Sequence, residues 1–164
     1  MESKSEVSQV LESSEDTQGV FDVIIIGAGA AGIGAGIALA HSGVGNFVII
    51  DRGLVGSSFA SWPDETRFIT PSFPSNSIGM LDLNSIAVGV SPAYNMRIEH
   101  PNGSEYAKHL QDLAEFFELP VRENAEVVQI TNKEGLFRVE TNDWTISSKN
   151  VIWAAGEFLY PRLG

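Results

Sequence analysis

The chain has 164 residues, the size of one ordinary domain, with 43% apolar and 19% charged side chains. That composition supports a folded core and excludes a disordered or collagen-like chain. The 21 acidic residues outnumber the 10 basic ones for a formal net charge of −11, which opposes nucleic acid and anionic membrane surfaces as partners. Cysteine is absent, removing disulfides, thiolate metal sites and thiol redox chemistry.

Residues 1–19 are expected to form a disordered acidic tail. Glu2, Glu6, Glu12, Glu15 and Asp16 face a single Lys4 there, without the basic start or apolar middle of a secretory signal. The first apolar run, Val20 to Ile26, is far too short to cross a bilayer, so a cytoplasmic location is expected. Residues 20–164 then make the folded domain.

Phe21 to Ile26 is a β-branched run closed by Gly27, the pattern of a strand buried on both faces of a parallel sheet. Ala30 to His41, small and apolar nearly all round, predicts a helix ended by Ser42-Gly43. Its three glycines, each weakening a helix by about 1 kcal/mol against alanine, point to close packing or a ligand. Phe47 to Ile50 predicts a second buried strand ending at Asp51, completing a βαβ unit.

Gly53 to Pro101 is rich in Ser, Pro, Gly and Asn without a sustained period. Phe59, Trp62, Phe68, Ile69, Phe73, Met80 and Leu83 make it too apolar for a solvated spacer, so ordered loops and short helices over the sheet are expected. Ser104 is placed to cap a helix from Glu105 to about Glu118, with apolar positions three and four apart and Pro120 as its stop. Val121 to Glu123 reads as a short strand. Glu126–Thr131, Leu136–Thr141 and Trp144–Ser147 alternate about two turns as a small antiparallel meander, and Val151 to Ala155 reads as a last buried strand closed by Gly156. The predicted fold is therefore α/β: a Rossmann-like βαβ with a parallel sheet plus a small antiparallel β-meander.

Gly27-Ala28-Gly29-Ala30-Ala31-Gly32 fits G-x-G-x-x-G between the first strand and the first helix. Gly27 permits the turn, Gly29 lets backbone approach a pyrophosphate and Gly32 lets helix pack on strand, with amide groups and the positive helix end facing the phosphates. Asp51 answers it 19 residues past Gly32. A carboxylate there accepts hydrogen bonds from both ribose hydroxyls and repels a 2′-phosphate, favouring FAD or NAD over NADP at this site. His41, His100 and His109 have no Glu, Asp or Cys at ligand spacing, so no metal site is expected. The neighbouring carboxylates of Asp64-Glu65 point apart and suit solvation better than acid–base work. No nucleophile motif such as G-x-S-x-G occurs, and the catalytic residues stay unassigned.

Three stretches, taken in order, resemble the two-dinucleotide-domain flavoproteins of the glutathione-reductase-like superfamily, and within it the flavin-containing monooxygenase and FAD/NAD(P)-dependent oxidoreductase branch. They are Val23 to Gly36 with Asp51-Arg52, Ser57 to Pro63, and Val151 to Pro161. The last is similar to that branch's A-T-G-x-x-x-x-P, with Ala155 where Thr is usual, so a hydroxyl is lost. The resemblance implies FAD with its pyrophosphate on Gly27 to Gly32, its ribose on Asp51 and its adenine beside Arg52, edged by backbone at Val127 or Val128. Ser58 and Trp62 would follow the ribityl chain, Ala155 and Gly156 would complete the site, and Arg67 to Ser72 would wall the isoalloxazine. Trp62 and Phe68 also suit a plain core role, and Gly156 a simple strand end.

In that family a second, NAD(P)-binding domain follows the position of Gly156. The chain given ends eight residues later, at Gly164, without a second G-x-G-x-x-G. The implied reading is an incomplete glutathione-reductase-like FAD domain. It would be the FAD-binding portion of an NAD(P)H-dependent flavin oxidoreductase or monooxygenase, not catalytically competent alone. NAD(P)H would bind only if a second domain or partner supplies its site, and a complementary chain or homo-oligomer is a candidate partner for the uncovered flavin face. The alternative is a stand-alone dinucleotide-binding or regulatory module, or a degenerate non-catalytic remnant. The C-x-x-C of the disulfide-reducing branches is impossible without cysteine.

Overall fold

The computed structural model describes residues 19–72 and 82–156. Residues 1–18 of the expected acidic tail, Phe73, Met80 and the Glu157–Pro161 part of the last motif lie outside those residues.

Strand β1 (Phe21–Ile26) runs into the glycine loop and helix α1 (Ala30–His41), which returns to β2 (Phe47–Ile50). The two strands pair in parallel, Ile24 opposite Val48 and Ile26 opposite Ile50. Their side chains alternate between two cores. Val23, Ile25, Phe47 and Ile49 pack with Ile33 and Ile37 of α1, while Ile24, Ile26, Val48 and Ile50 pack on the opposite face. Burial on both faces is why these strands read as unbroken apolar runs.

Short helices α2 (Ser57–Ala60) and α3 (Pro92–Asn95) interrupt the long irregular segment, and α4 (Gly103–Phe116) packs on the α1 side of the sheet. The predicted start of α4 is corrected. Asn102, not Ser104, caps it: the Asn102 side chain accepts from the Glu105 amide at 2.8 Å and the Glu105 carboxylate accepts from the Asn102 amide at 2.7 Å. This reciprocal capping box places Gly103 in the first turn. Glycine there discourages a helical reading, but a Cβ on Gly103 would lie 2.1 Å from the Phe59 carbonyl oxygen, so close packing of α2 on α4 dictates it.

Strands β3 (Val121–Arg122), β4 (Val127–Lys133), β5 (Leu136–Thr141) and β6 (Thr145–Trp153) complete one mixed sheet of order β3-β2-β1-β6-β5-β4. The meander is thus continuous with the parallel strands. Its third strand and the predicted last strand are a single element, β6, antiparallel to β5 in its first half and parallel to β1 over most of its length. The polar Ser148-Lys149-Asn150 looks like a break in sequence but stays extended for a physical reason. Ser148 is paired on both sides, to Phe137 and Phe21. The Lys149 ammonium reaches the Asp22 carboxylate at 2.7 Å, and the Asn150 amide donates to the Asp22 carbonyl at 3.0 Å. The end of β6 is also less buried than expected: Val151 and Ile152 are half-buried and Trp153 is 60% exposed.

Candidate functional site

The carboxyl ends of β1, β2 and β6 open into a cavity of about 730 Å³. Crevices at this end of an open α/β sheet are the usual place for a ligand. The three motif glycines meet three different environments there. Gly27 has φ +110°, and a Cβ on it would lie 2.3 Å from the Ala154 carbonyl oxygen, because β6 ends directly across it. A Cβ on Gly32 would fall 1.8 Å from the Gly27 carbonyl oxygen, so Gly32 lets α1 approach its own strand. Gly29 is constrained by neither. Its φ is −80°, and the nearest atom to its Cβ position is Ser58 Oγ at 3.9 Å. Among the described residues no other part of the chain fills that space, at the N-terminus of α1, where no side chain caps the helix and its first turn holds no acidic residue. Unsatisfied amides and the positive end of the helix dipole there favour an anion.

Ala28 is fully buried and does not line the cavity; its backbone is held instead. Its amide donates to Asp51 Oδ2 at 2.7 Å, and its carbonyl accepts from the Gly56 amide at 3.0 Å. Asp51 Oδ1 accepts from the Gly53 amide at 2.8 Å. The half-buried Asp51 lines the cavity with lone pairs remaining on both oxygens. Gly29, Ala30, Ala31, Arg52, Ser58, Trp62, Val127, Ala155 and Gly156 line it as well. Gly32 sits behind the wall. Val128 is the extra residue of a bulge between Val127 and Gln129, is 57% exposed, and takes no part in the wall.

Arg67 to Ser72, expected as a flavin wall, does not line this cavity. Arg67 donates to the His100 carbonyl at 2.8 Å and pairs with Glu105 at 3.2 Å. Phe68 packs among the rings of Phe59, Trp62 and Tyr106, the core role that its type suggests. Ile69 is 94% exposed.

Ala125 and Glu126 line the cavity without a signal in the sequence. Their placement comes from backbone pairing: the Ala125 amide donates to the Asp51 carbonyl at 2.8 Å and the Asn124 amide to the Gly53 carbonyl at 3.1 Å. Trp153 contributes to the wall at the end of β6, a position legible only once that strand's register is known. Among the described residues no group of His, Asp or Glu is placed to hold a metal ion, and no helix is long and apolar enough to cross a membrane.

The chain is similar to known proteins over most of its length. An uncharacterized oxidoreductase CzcO of Bacillus velezensis is 31% identical over 145 residues, 88% of this chain and 39% of that protein. A CzcO-like uncharacterized oxidoreductase of Geobacillus kaustophilus is 28% identical over 146 residues, again 39% of its length. The chain thus spans about two fifths of the curated relatives it matches. Among solved structures, bacillithiol disulfide reductase from Staphylococcus aureus superposes with a TM-score of 0.68 at 20% identity, covering 83% of this chain and 38% of that one. A flavin-containing monooxygenase from Stenotrophomonas maltophilia gives 0.62 at 23% identity, over 82% and 38%. These likenesses establish a shared fold. The profile described as pyridine nucleotide-disulphide oxidoreductase matches residues 24–164, from the middle of β1 through both walls of the cavity, and on that extent the chain belongs to the pyridine nucleotide-disulphide oxidoreductase family.

Proposed function

We propose that these residues form the FAD-binding portion of an NAD(P)H-dependent flavin oxidoreductase or monooxygenase. The observation that carries the reading is the empty Cβ space of Gly29 at the uncapped start of α1. Packing explains Gly27 and Gly32 but not Gly29, whereas a pyrophosphate lying against the backbone does. The cavity volume also falls in the range of sites for ligands of cofactor size.

In this reading Gly29, Ala30 and Ala31 hold the pyrophosphate through backbone amides, and Asp51 accepts from the ribose hydroxyls. Arg52, Ala125, Glu126 and Val127 flank the adenosine end. Ser58 on α2 and Trp62 just beyond it, facing Ala155 and Gly156 after β6, flank the other. When bound, FAD supplies the hydride- and electron-accepting chemistry. The chain's own part is to bind, orient and exclude water, with Trp62 and Trp153 as apolar walls. The 164 residues carry a single G-x-G-x-x-G, so the nicotinamide site is assigned outside them, and reduction by NADH or NADPH should be very slow for this chain alone.

Absorbance of the purified protein tests the cofactor. Flavin bands, or FAD uptake that quenches tryptophan fluorescence saturably, are expected. Colourless protein that takes up no added FAD would refute the reading. Stopped-flow mixing of the loaded protein with NADH and NADPH tests the second half, and fast reduction would show that the nicotinamide site lies within these residues.

A further inference from the structure

Glu123 lies just past β3, outside the cavity wall, yet its carboxylate is committed to a backbone group on another segment: Oε1 accepts from the Val55 amide at 2.8 Å. The Val55 carbonyl is held as well, accepting from the Gln111 side-chain amide of α4 at 3.1 Å. Both peptide groups of one buried turn residue are therefore taken by side chains from two different elements. The next residue, Gly56, has φ +73° and lies so close to α4 that a Cβ on it would be 2.8 Å from Ala107 Cα. The turn is thus wedged between α4 and the β3–β4 connection.

What that turn controls is the phosphate loop. Gly56 donates to the Ala28 carbonyl and Asp51 accepts from the Ala28 amide, so the two ends of the 51–56 turn anchor both the amide and the carbonyl of Ala28. Ala28 sits between Gly27 and Gly29, and its orientation sets where the Gly29 backbone and the first amides of α1 point. On its other side the turn leads directly into α2, whose Ser57 and Ser58 line the opposite wall. One turn positions both walls.

Resting on the FAD reading above, we infer that Glu123 is a positioning residue for the cofactor, presetting the phosphate loop through Val55, Gly56 and Ala28 without touching the ligand. A site held in its bound geometry beforehand loses less freedom on binding, so its contribution appears as affinity.

The test compares wild type with Glu123→Ala and Glu123→Gln. Glu123→Ala should raise the FAD dissociation constant about fivefold or more, the scale of one lost hydrogen bond, at a temperature where circular dichroism shows the variant folded. ADP, which shares the pyrophosphate and adenosine, should weaken by the same factor. Glu123→Gln retains a carbonyl acceptor and should restore most of the affinity. Without cofactor, amide hydrogen exchange should quicken at Val55, Gly56 and Ala28 in Glu123→Ala while core amides keep wild-type protection. Unchanged affinity in Glu123→Ala beside a wild type that binds FAD would overturn the positioning role and leave the FAD reading standing. Uniformly faster exchange across the core would also overturn it, reducing Glu123 to a general stabilising contact. Wild type that binds neither FAD nor ADP would overturn the FAD reading itself.

Discussion

Gly29 and Gly32 occupy one motif but should fail in different ways when replaced. Among the described residues beyond its own turn, a valine at Gly29 has Ser58 Oγ, 3.9 Å from its Cβ, as the nearest atom, so circular dichroism and melting temperature should stay close to wild type while FAD retention is abolished. Gly32→Ala sets a methyl group 1.8 Å from a backbone oxygen, which only a shift of α1 can relieve, so it should lower the melting temperature and yield little folded protein. Folded Gly29→Val protein that stays yellow would place the phosphates elsewhere. Asp51→Ala removes the acceptor of the Ala28 and Gly53 amides and, on the proposed FAD reading, of the ribose, and should weaken FAD by about 1.5–3 kcal/mol, the range of hydrogen bonds to a charged group. Isothermal titration reads it, and an unchanged dissociation constant would separate Asp51 from the ribose. The roles of Gly27 and Gly32 follow from the motif alone, because a Cβ at either would strike backbone. The partners of Asp51 within the protein could not be read the same way, since Ala28 and Gly53 contribute backbone amides that leave no mark on residue type.

At the scale of elements, β1, α1 and β2 were legible because burial on both strand faces writes a continuous apolar run and the glycine loop punctuates it. The single strand β6 was not, because its Ser148-Lys149-Asn150 are made extended by pairing on both sides and by the Asp22 side and main chain, and the partners on β1 lie 127 or 128 residues away in sequence. Helix α4 was legible from its apolar spacing but not at its start, where a glycine demanded by α2 hides the cap. The same helix carries a buried histidine whose sequence context says nothing of its burial. His109 Nε2 has no hydrogen-bond partner among the described residues, and burial lowers its pKa below the ordinary 6.5, against a smaller opposing pull from the carboxylates of Asp112 and Asp82. The neighbouring Tyr106 ring adds no charge below pH 10. As pH falls through 6.5 the unfolded chain takes up a proton that folded His109 resists, so stability is retained above that value and lost below it. The slope from this group is at most about 1.4 kcal/mol per pH unit. His109→Leu should flatten the melting temperature relative to wild type as pH falls below 6.5; equal slopes in the two proteins would show that His109 does not titrate with unfolding. Tyr106 gives the opposite sign at the alkaline end. Burial pushes its pKa up to about 12 from 10.0, and its hydroxyl donates to the Asn84 carbonyl at 2.8 Å. Its contribution is therefore intact below pH 10 and lost as pH climbs toward 12, a loss that Tyr106→Phe should remove in alkaline melting curves.

For the whole molecule, local and global electrostatics oppose one another. The start of α1 and Arg52 give the cavity an anion-attracting floor, yet the chain as a whole carries a net charge of −11 and FAD arrives as an anion. Attraction from a helix terminus fades within about a turn, whereas the net field reaches out by a Debye length, about 10 Å at 0.1 M salt and 30 Å at 0.01 M. The encounter step is therefore governed by the long-range repulsion, and the bound state by the short-range amides. Raising ionic strength from about 0.01 M to 0.15 M shortens the Debye length to about 8 Å and should speed FAD association severalfold. Dissociation, set by contacts at hydrogen-bond distance, should change much less. Affinity should accordingly rise with salt, the reverse of what a basic phosphate-binding surface gives. Stopped-flow tryptophan quenching across a salt series separates the two rate constants. Association that slows with salt would mean that the cavity's own field outreaches the net charge, and would shift the electrostatic weight of the site from the α1 amides to Arg52.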